Sequence, residues 1–414
     1  MDSVLGSLAF YPTVISILLS LGAILILNID GTKMDGFKEF APSLYINNAD
    51  TARTILSTLI GGIISLTVFS FSMVMITLNQ ASSNFSPRLL PGLISEKKNQ
   101  LVLGFYLGSI IFNIQILISI TPSGESYTLN VLPILIGIAL GIICLALFIY
   151  FIHNISSGIQ IDNILSKIYI ETKNSLNKEN KEQGIVNGFS LADTKYWQTI
   201  TSPKEGYYQG FSENAMLAIC KDSDFDLLVK VCPGDFVMPN YPIMSVSKEL
   251  QQEDIDKVLD KVIFDNHQSI DANYVYGVNQ LTEVGVRSMS PGINDPATAL
   301  NTLDYLSVIL YHRMQIKDHN NISTEDKSNI IHIRKQSFER ILRNCYASYR
   351  QYAKHDLLVM KKMLNILKHL EKQKSIDRSY NKAIKDQIEI LLKDAKVSIT
   401  NEADLRILTS ILEN

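Results

Sequence analysis

Hydrophobic positions follow two regimes along this chain: long unbroken apolar runs in the first third, then shorter runs at helix or strand spacing. A helix that crosses a bilayer needs about 20 mostly apolar residues to match the hydrocarbon thickness. Four segments meet that demand, Val4 to Leu27, Ile55 to Leu78, Leu101 to Ile120 and Leu129 to Ile152, and none contains Asp, Glu, Lys or Arg. They predict a transmembrane domain over residues 1–154. After it, Ile155, Ile159, Ile164, Leu165 and Ile168 keep helical spacing, which predicts that the fourth helix runs on into a helical extension and linker over residues 155–205. Between Gly206 and Val246 the period shortens. Tyr207 to Phe211, Ala215 to Ile219, Leu227 to Val231 and Ile243 to Val246 read as strands of a small β-unit over residues 206–250. Helical spacing returns near Gln252, where Ile255, Val258, Leu259, Val262 and Ile263 share a face, and again over Ala272 to Met289. Ser323 followed by Asp326 reads as a weak capping box opening long amphipathic helices, so residues 251–414 read as a helical bundle. The predicted fold is a membrane α-helical protein of four transmembrane helices with a cytoplasmic α+β domain.

Charge adds an orientation. The connection Thr121 to Tyr127 has no Lys or Arg, whereas Asn79 to Gln100 holds Arg88, Lys97 and Lys98 and many lysines follow the last span. Basic loops stay on the cytoplasmic side, which predicts both termini in the cytoplasm, against the minor contrary weight of Lys33, Lys38 and Arg53. With 38 basic and 41 acidic residues the net charge is −3, which gives no electrostatic reason to expect nucleic acid as a partner. No basic region or small-residue cleavage site accompanies the first apolar run, so it reads as a retained helix. Cys144 lies in an apolar run, and Cys220, Cys232 and Cys345 lack zinc or disulfide spacing, so reduced thiols are expected.

The spans carry no ionisable side chain, which disfavours a proton-driven carrier. They do carry small residues at four-residue spacing: Ser57, Gly61 and Ser65 in the second span, Gly104 and Gly108 in the third, Gly137 and Gly141 in the fourth. Such spacing lets backbones approach, implying a tight bundle or a homo-oligomer among membrane lipids. On the second span, Thr58, Gly62, Ser65, Phe69, Ser72 and Asn79 share one face that continues past Ser83 toward Arg88. Two readings stay open. Turned to a common axis in an oligomer, this face would line a path for permeating ions, with Phe69 as a constriction and Ser83 and Arg88 at the cytoplasmic mouth. Turned to neighbouring helices, it would only pack. Asn113 and Gln115 are expected to hydrogen-bond across helices.

Downstream chemistry is sparse. Asp222, Asp224 and Asp226 have the spacing of a calcium loop, but Leu227 stands where glycine is needed and Pro233 stands at the twelfth position, so a hairpin turn is expected. In SPGIND, Pro291 and Gly292 make a turn after Ser290, Asp295 is placed as an N-cap and Pro296 opens a helix. That helix start near Arg287 could hold an anion, or the carboxylate of Asp295 could simply cap it. There is no GxSxG, HExxH or GxxxxGK, and His267 and His312 have no spaced metal partner. No enzyme, cofactor or metal is expected.

Four segments together carry a resemblance: RTILSTLIGG from Arg53, QASSNFSPRLL from Gln80, the pair Asn99 and Gln100, and SPGINDPATA from Ser290. In this order, over nearly the whole chain, they resemble the bacterial predicted-membrane-protein family catalogued as domain of unknown function twenty-two fifty-four. The resemblance implies the same architecture in a bacterial cytoplasmic membrane. It implies no activity. Ser86, Pro87, Arg88, Ser290, Pro291, Gly292, Asn294, Asp295 and Pro296 match without an assigned role. The expected function is a homo-oligomeric ion channel with the second span at the pore and the cytoplasmic part assembling or gating it. The alternative is a membrane-anchored scaffold or sensor that does not conduct.

Overall fold

A computed structural model describes residues 9–28, 46, 48–84, 97–120, 131–158, 160–181, 194–324 and 328–413. The chain forms two compact units, Met1–Asn163 and Ile164–Asn414.

The first unit contains α1 (Phe10–Leu27), α2 (Ala49–Asn84), α3 (Lys97–Ser119) and α4 (Val131–Gly158), each long and apolar enough to cross a membrane. At 1.5 Å per residue, the 18 residues of α1 span about 27 Å, close to a hydrocarbon core. α3 lies at the centre, with Val102, Gly104, Tyr106, Gly108, Ser109, Phe112, Asn113 and Ile116 buried. Interior positions recur every seven residues: Leu56, Ile63 and Ser70 on α2, Tyr106 and Asn113 on α3, Gly137, Cys144 and Phe151 on α4. Seven residues are nearly two turns, so such a stripe keeps facing one neighbour. Gly104 lies against Pro12 and Ile15 of α1, and Gly108 against Ser16 and Leu19. Gly137 lies against Leu56 and Asn113, and Gly141 against Leu59.

The fourth helix does not run on as expected. It stops at Gly158 and a separate α5 (Ile161–Lys181) begins. Ser156, Ser157 and Gly158 favour turns over helix, and the Gln160 amide donates to the Ser157 carbonyl at 3.3 Å.

The second unit is α+β. Its elements are β1 (Gln198–Thr201), β2 (Gly206–Phe211), α6 (Glu213–Ser223), β3 (Leu227–Val229), β4 (Phe236–Val237), β5 (Pro242–Val246), α7 (Gln252–Asp260), β6 (Val262–Asp265), α8 (Tyr274–Ser288), α9 (Pro296–Arg313), β7 (His319–Ser323), β8 (Ile330–Arg334), α10 (Phe338–Ala353), α11 (Leu357–Glu371), α12 (Arg378–Ser398) and α13 (Glu402–Glu413). Among the described residues one sheet has the order β1-β5-β3-β8-β7 and another β4-β2-β6. Every pairing is antiparallel except β3 with β8. In β2 the register shifts between Tyr208 and Gly210, and Gly210 has φ +131°, a conformation that needs glycine.

Three expectations are corrected. Ala215 to Ile219 is helix, within α6, because Met216 and Cys220 lie one turn apart and both pack on the sheet core. A five-residue apolar run is too short to separate the two periods. Val262 and Ile263 belong to β6, since α7 ends at Asp260. Ser323 ends β7 and opens no helix, while Ile330 to Arg334 is a strand whose Leu227↔Ile331 register joins it to β3. Asp326, the other half of the proposed capping box, lies outside the described residues. The next helix starts after Ser337, whose hydroxyl accepts from the Arg340 amide at 3.3 Å.

The acidic segment is not the expected hairpin turn, because it leads out of helix α6 into β3, and it ties both to β8. Asp224 stands at the α6 C-cap with φ 51°, and its Oδ1 accepts from Asn329 Nδ2 at 3.3 Å. Asp226 Oδ1 accepts from the Ile330 amide at 2.8 Å. Arg313, at 0% exposure, is the most heavily bonded buried cation described here. It donates to Tyr274 OH (2.7 Å), the carbonyls of Ile316 (2.6 Å) and Gln336 (2.8 Å), and Asp318 Oδ1 (2.5 Å).

Candidate functional site

Helix α2 has two faces with opposite surroundings. Leu56, Ile63 and Ser70 are buried, whereas Ser57, Thr58, Gly61, Gly62, Ser65, Phe69, Ser72 and Asn79 are exposed within the chain. Among the described residues, a Cβ at Gly61 or Gly62 would meet no atom within 4 Å, so none of them covers that side. Thr58 donates to the Thr54 carbonyl (2.7 Å), Ser65 to Gly61 (2.9 Å) and Ser72 to Val68 (3.0 Å). With each proton committed to the helix, the hydroxyl oxygens present lone pairs outward. Phe69 is 51% exposed and leans edge-on against Phe148 of α4 at 5.7 Å. The helix passes through Ser83, but its side chain and the whole of Arg88 lie outside the described residues.

A second polar feature was missed at the sequence level. On the inward side of α3, Tyr106 faces Ser70 of α2 and Ser109 faces Cys144 of α4, with Asn113 one turn further along, all five at 0% exposure. The Cys144 thiol donates to Ser109 Oγ at 3.4 Å. Asn113 was expected to bond across helices. Instead its Nδ2 donates to the Ser109 carbonyl of its own helix at 2.8 Å, because the facing residue on α4 is Gly137, which offers no side chain. Gln115 does cross, donating to Ser20 Oγ of α1 at 2.7 Å. Beyond the two ends of this row, Asn154 donates to Asn99 Oδ1 at 2.9 Å and Arg53 donates to the Ile120 carbonyl at 2.8 Å. The available signal was the seven-residue recurrence Asn99, Tyr106, Asn113.

The SPGIND turn sits between α8 and α9. The Ser290 carbonyl accepts from Ile293 (3.0 Å) and Asn294 (2.9 Å), and Asn294 takes φ 49°, which asparagine tolerates. Asp295 caps α9, accepting from the Thr298 amide at 3.2 Å and its hydroxyl at 2.6 Å, with Pro296 as the first helical residue. Its carboxylate therefore occupies the place an anion would take. Pro291, Gly292, Ile293 and Asn294 form an exposed tip. Asp295→Ala is expected to cost about 1 kcal/mol, read as an earlier denaturation midpoint with unchanged slope.

The second unit holds a cavity of about 350 Å³ lined in part by Glu179, Tyr208, Cys232, Asn273 and Lys335. Lys335 and Glu179 pair at 2.9 Å. Burial, reinforced by Asp235, pushes the Cys232 thiol up to about 11, so it stays protonated and is a poor nucleophile at neutral pH. Among the described residues no group of three His, Cys, Asp or Glu could hold a metal ion.

Four long apolar helices followed by an α+β region place the chain in the class of predicted membrane proteins. Residues 6–369 match the family described as Predicted membrane protein (DUF2254), and the chain belongs to that family. An uncharacterized protein of Mycobacterium tuberculosis strain H37Rv is 22% identical over 374 residues, covering 85% of this chain and 70% of the relative. An uncharacterized protein of Mycobacterium bovis matches with the same identity and coverage. No solved structure matches the chain.

Proposed function

We propose that the chain is one subunit of a homo-oligomeric ion channel in a bacterial cytoplasmic membrane, with both termini cytoplasmic and α2 lining the pore. The observation that carries this reading is the exposed face of α2, where Thr58, Gly62, Ser65 and Ser72 are small or hydroxylated and are left uncovered by the described residues. A flat uncharged face of this kind is an expensive thing to leave to lipid alone and a good one to line a narrow water path. Lone pairs directed outward from the three hydroxyls suit cations over anions. Phe69, half exposed and braced by Phe148, is the residue that narrows the path. Gly61 and Ser57 beside it let a second copy approach.

Recording in planar bilayers tests this. Wild-type protein is expected to give cation-selective unitary currents, Ser65→Leu to reduce unit conductance several-fold, and Phe69→Ala to raise basal opening by relieving an apolar constriction. Silence of the wild type across voltage, ions and tension would remove the channel. The second reading, a membrane-anchored sensor, draws on the 350 Å³ cavity, whose size lies at the small end of the about 300–1,000 Å³ typical of ligand sites. One of its walls is α5, the helix that follows α4 in the chain.

A further inference from the structure

We propose that the first unit holds one acyl chain of an anionic phospholipid in a groove between α1 and α2, with the headgroup at Lys97. The proposal rests on that unit lying in a bilayer and is independent of the channel reading.

At one end of the unit, Ala23 of α1 joins Ala52 and Leu56 of α2 in a shared apolar core. Toward the first residues of α1 and α3, among the described residues, a groove of about 860 Å³ opens between α1 and α2 with α3 as its floor. Its lining includes Ile17 and Leu21 of α1, Phe71 and Met75 of α2, and Leu107 and Ile111 of α3, all exposed although large and apolar. Two polar side chains of the lining are already bonded within the chain. The Thr67 hydroxyl donates to the Ile63 carbonyl at 2.7 Å, and Ser20 Oγ accepts from Gln115 Nε2 at 2.7 Å. An apolar space of this kind stays dry, and leaving it empty would forfeit dispersion contacts along every side. Hydrocarbon restores them.

Length and charge select the occupant. From Asn99 to Ile111 the floor runs about 18 Å at 1.5 Å per residue, close to the roughly 15 Å depth of one leaflet of hydrocarbon. Asn99 and Gln100 line the end nearest the start of α3, and Lys97, exposed, lies one turn before Gln100 on the same side of the helix. A cation beside the polar end of an apolar groove favours an anionic headgroup there. The competing occupant is a helix of a second copy. Helices in lipid associate through small residues that let backbones approach, and here those residues already serve the contact of α1 with α3, Gly104 against Pro12 and Gly108 against Ser16. What the groove itself presents is mostly long or aromatic side chains, which close around a thin flexible chain.

Photolabelling of the full chain in liposomes tests the proposal, with a trace of phosphatidylglycerol carrying a diazirine on one acyl chain as the probe and mass spectrometry to map the labelled residues. In phosphatidylcholine liposomes, label at Leu107 and Phe71 is expected to exceed several-fold the label at Ile142 and Ile149, which are exposed on α4. In phosphatidylglycerol liposomes that excess is expected to vanish, because unlabelled lipid of the same charge competes for the groove. Lys97→Gln is expected to cut the excess several-fold in phosphatidylcholine and to leave the α4 label unchanged. The wild-type comparison decides alone if that variant does not fold. Equal label at both places in phosphatidylcholine, or an excess that survives in phosphatidylglycerol, overturns the proposal. Label on α4 with none at Leu107 also overturns it, since protein, such as a second copy, would then cover the groove. Label on none of the four helices would take the unit out of the bilayer, a separate failure that removes the proposal with it.

Discussion

Arg313→Met is expected to destabilise the second unit by about 3–5 kcal/mol, the cost of breaking a buried ion pair from one side. The guanidinium is fully buried and joins the start of α8 through Tyr274, the end of α9 through Ile316, the entry to β7 through Asp318 and the entry to α10 through Gln336. Burial opposes its charge, but Tyr274 and Asp318 outweigh burial and hold it protonated, above its ordinary range. Asp318 Oδ1 also accepts from the Phe338 amide at 3.0 Å and Tyr380 OH at 2.8 Å. Methionine approximates the volume but takes the cationic donor away from that carboxylate and from the Ile316 and Gln336 carbonyls. Arg313→Lys is expected to recover little, because one ammonium cannot reach acceptors arranged around a planar fork. Urea unfolding followed by circular dichroism measures the loss. A wild-type midpoint for Arg313→Met would show that the junction contributes no net stability.

Gly108→Leu is expected to detach α1 from α3 and cost about 1–3 kcal/mol or more, the usual range for overpacking a tight contact. A Cβ at Gly108 would already lie 3.3 Å from the Ser16 Cα and closer still to Leu19. Backbone cannot yield there without separating the helices. Gly62→Leu is the matched control, since a Cβ there meets no atom of the described residues within 4 Å. Limited proteolysis and size exclusion of both variants separate the effects. Gly108→Leu should lose protection of the first unit, whereas Gly62→Leu should keep the folded chain and act only on assembly. Equal protease sensitivity of the two would mean that the α1–α3 contact is looser than its geometry.

The four long apolar helices could be read from the chain because their signature is a local quantity, the length of an uninterrupted apolar run. The SPGIND turn was legible for a similar reason: a proline at the first helical position and a carboxylate before it act within four residues, and Asp295 does cap α9. Strands β7 and β8 were not legible. Ile330 to Arg334 is a strand because β3, about a hundred residues earlier, offers a parallel partner, and no window around Ser323 contains that information. The capping signal at Ser323 lost to the antiparallel pairing Ser323↔Ile330 of β7 with β8, which β3 in turn anchors to the sheet.

The same limit governs the candidate site. Within the run Phe69-Ser70-Phe71-Ser72, sequence places two serines on one apolar helix and cannot say which is inside. The structure turns Ser70 to the interior beside Tyr106 and leaves Ser72 exposed. In a soluble protein the polar residue would mark the outer face, but in lipid both faces of a helix are apolar and the hydrophobic pattern loses its direction. What the sequence by itself determined was therefore length, order and local turns: four candidate spans, an α+β region behind them, and a capped helix after SPGIND. Only the tertiary structure decided which small and polar residues look inward and which look outward. That choice rests on packing against residues far away in the chain, and no local pattern carries it.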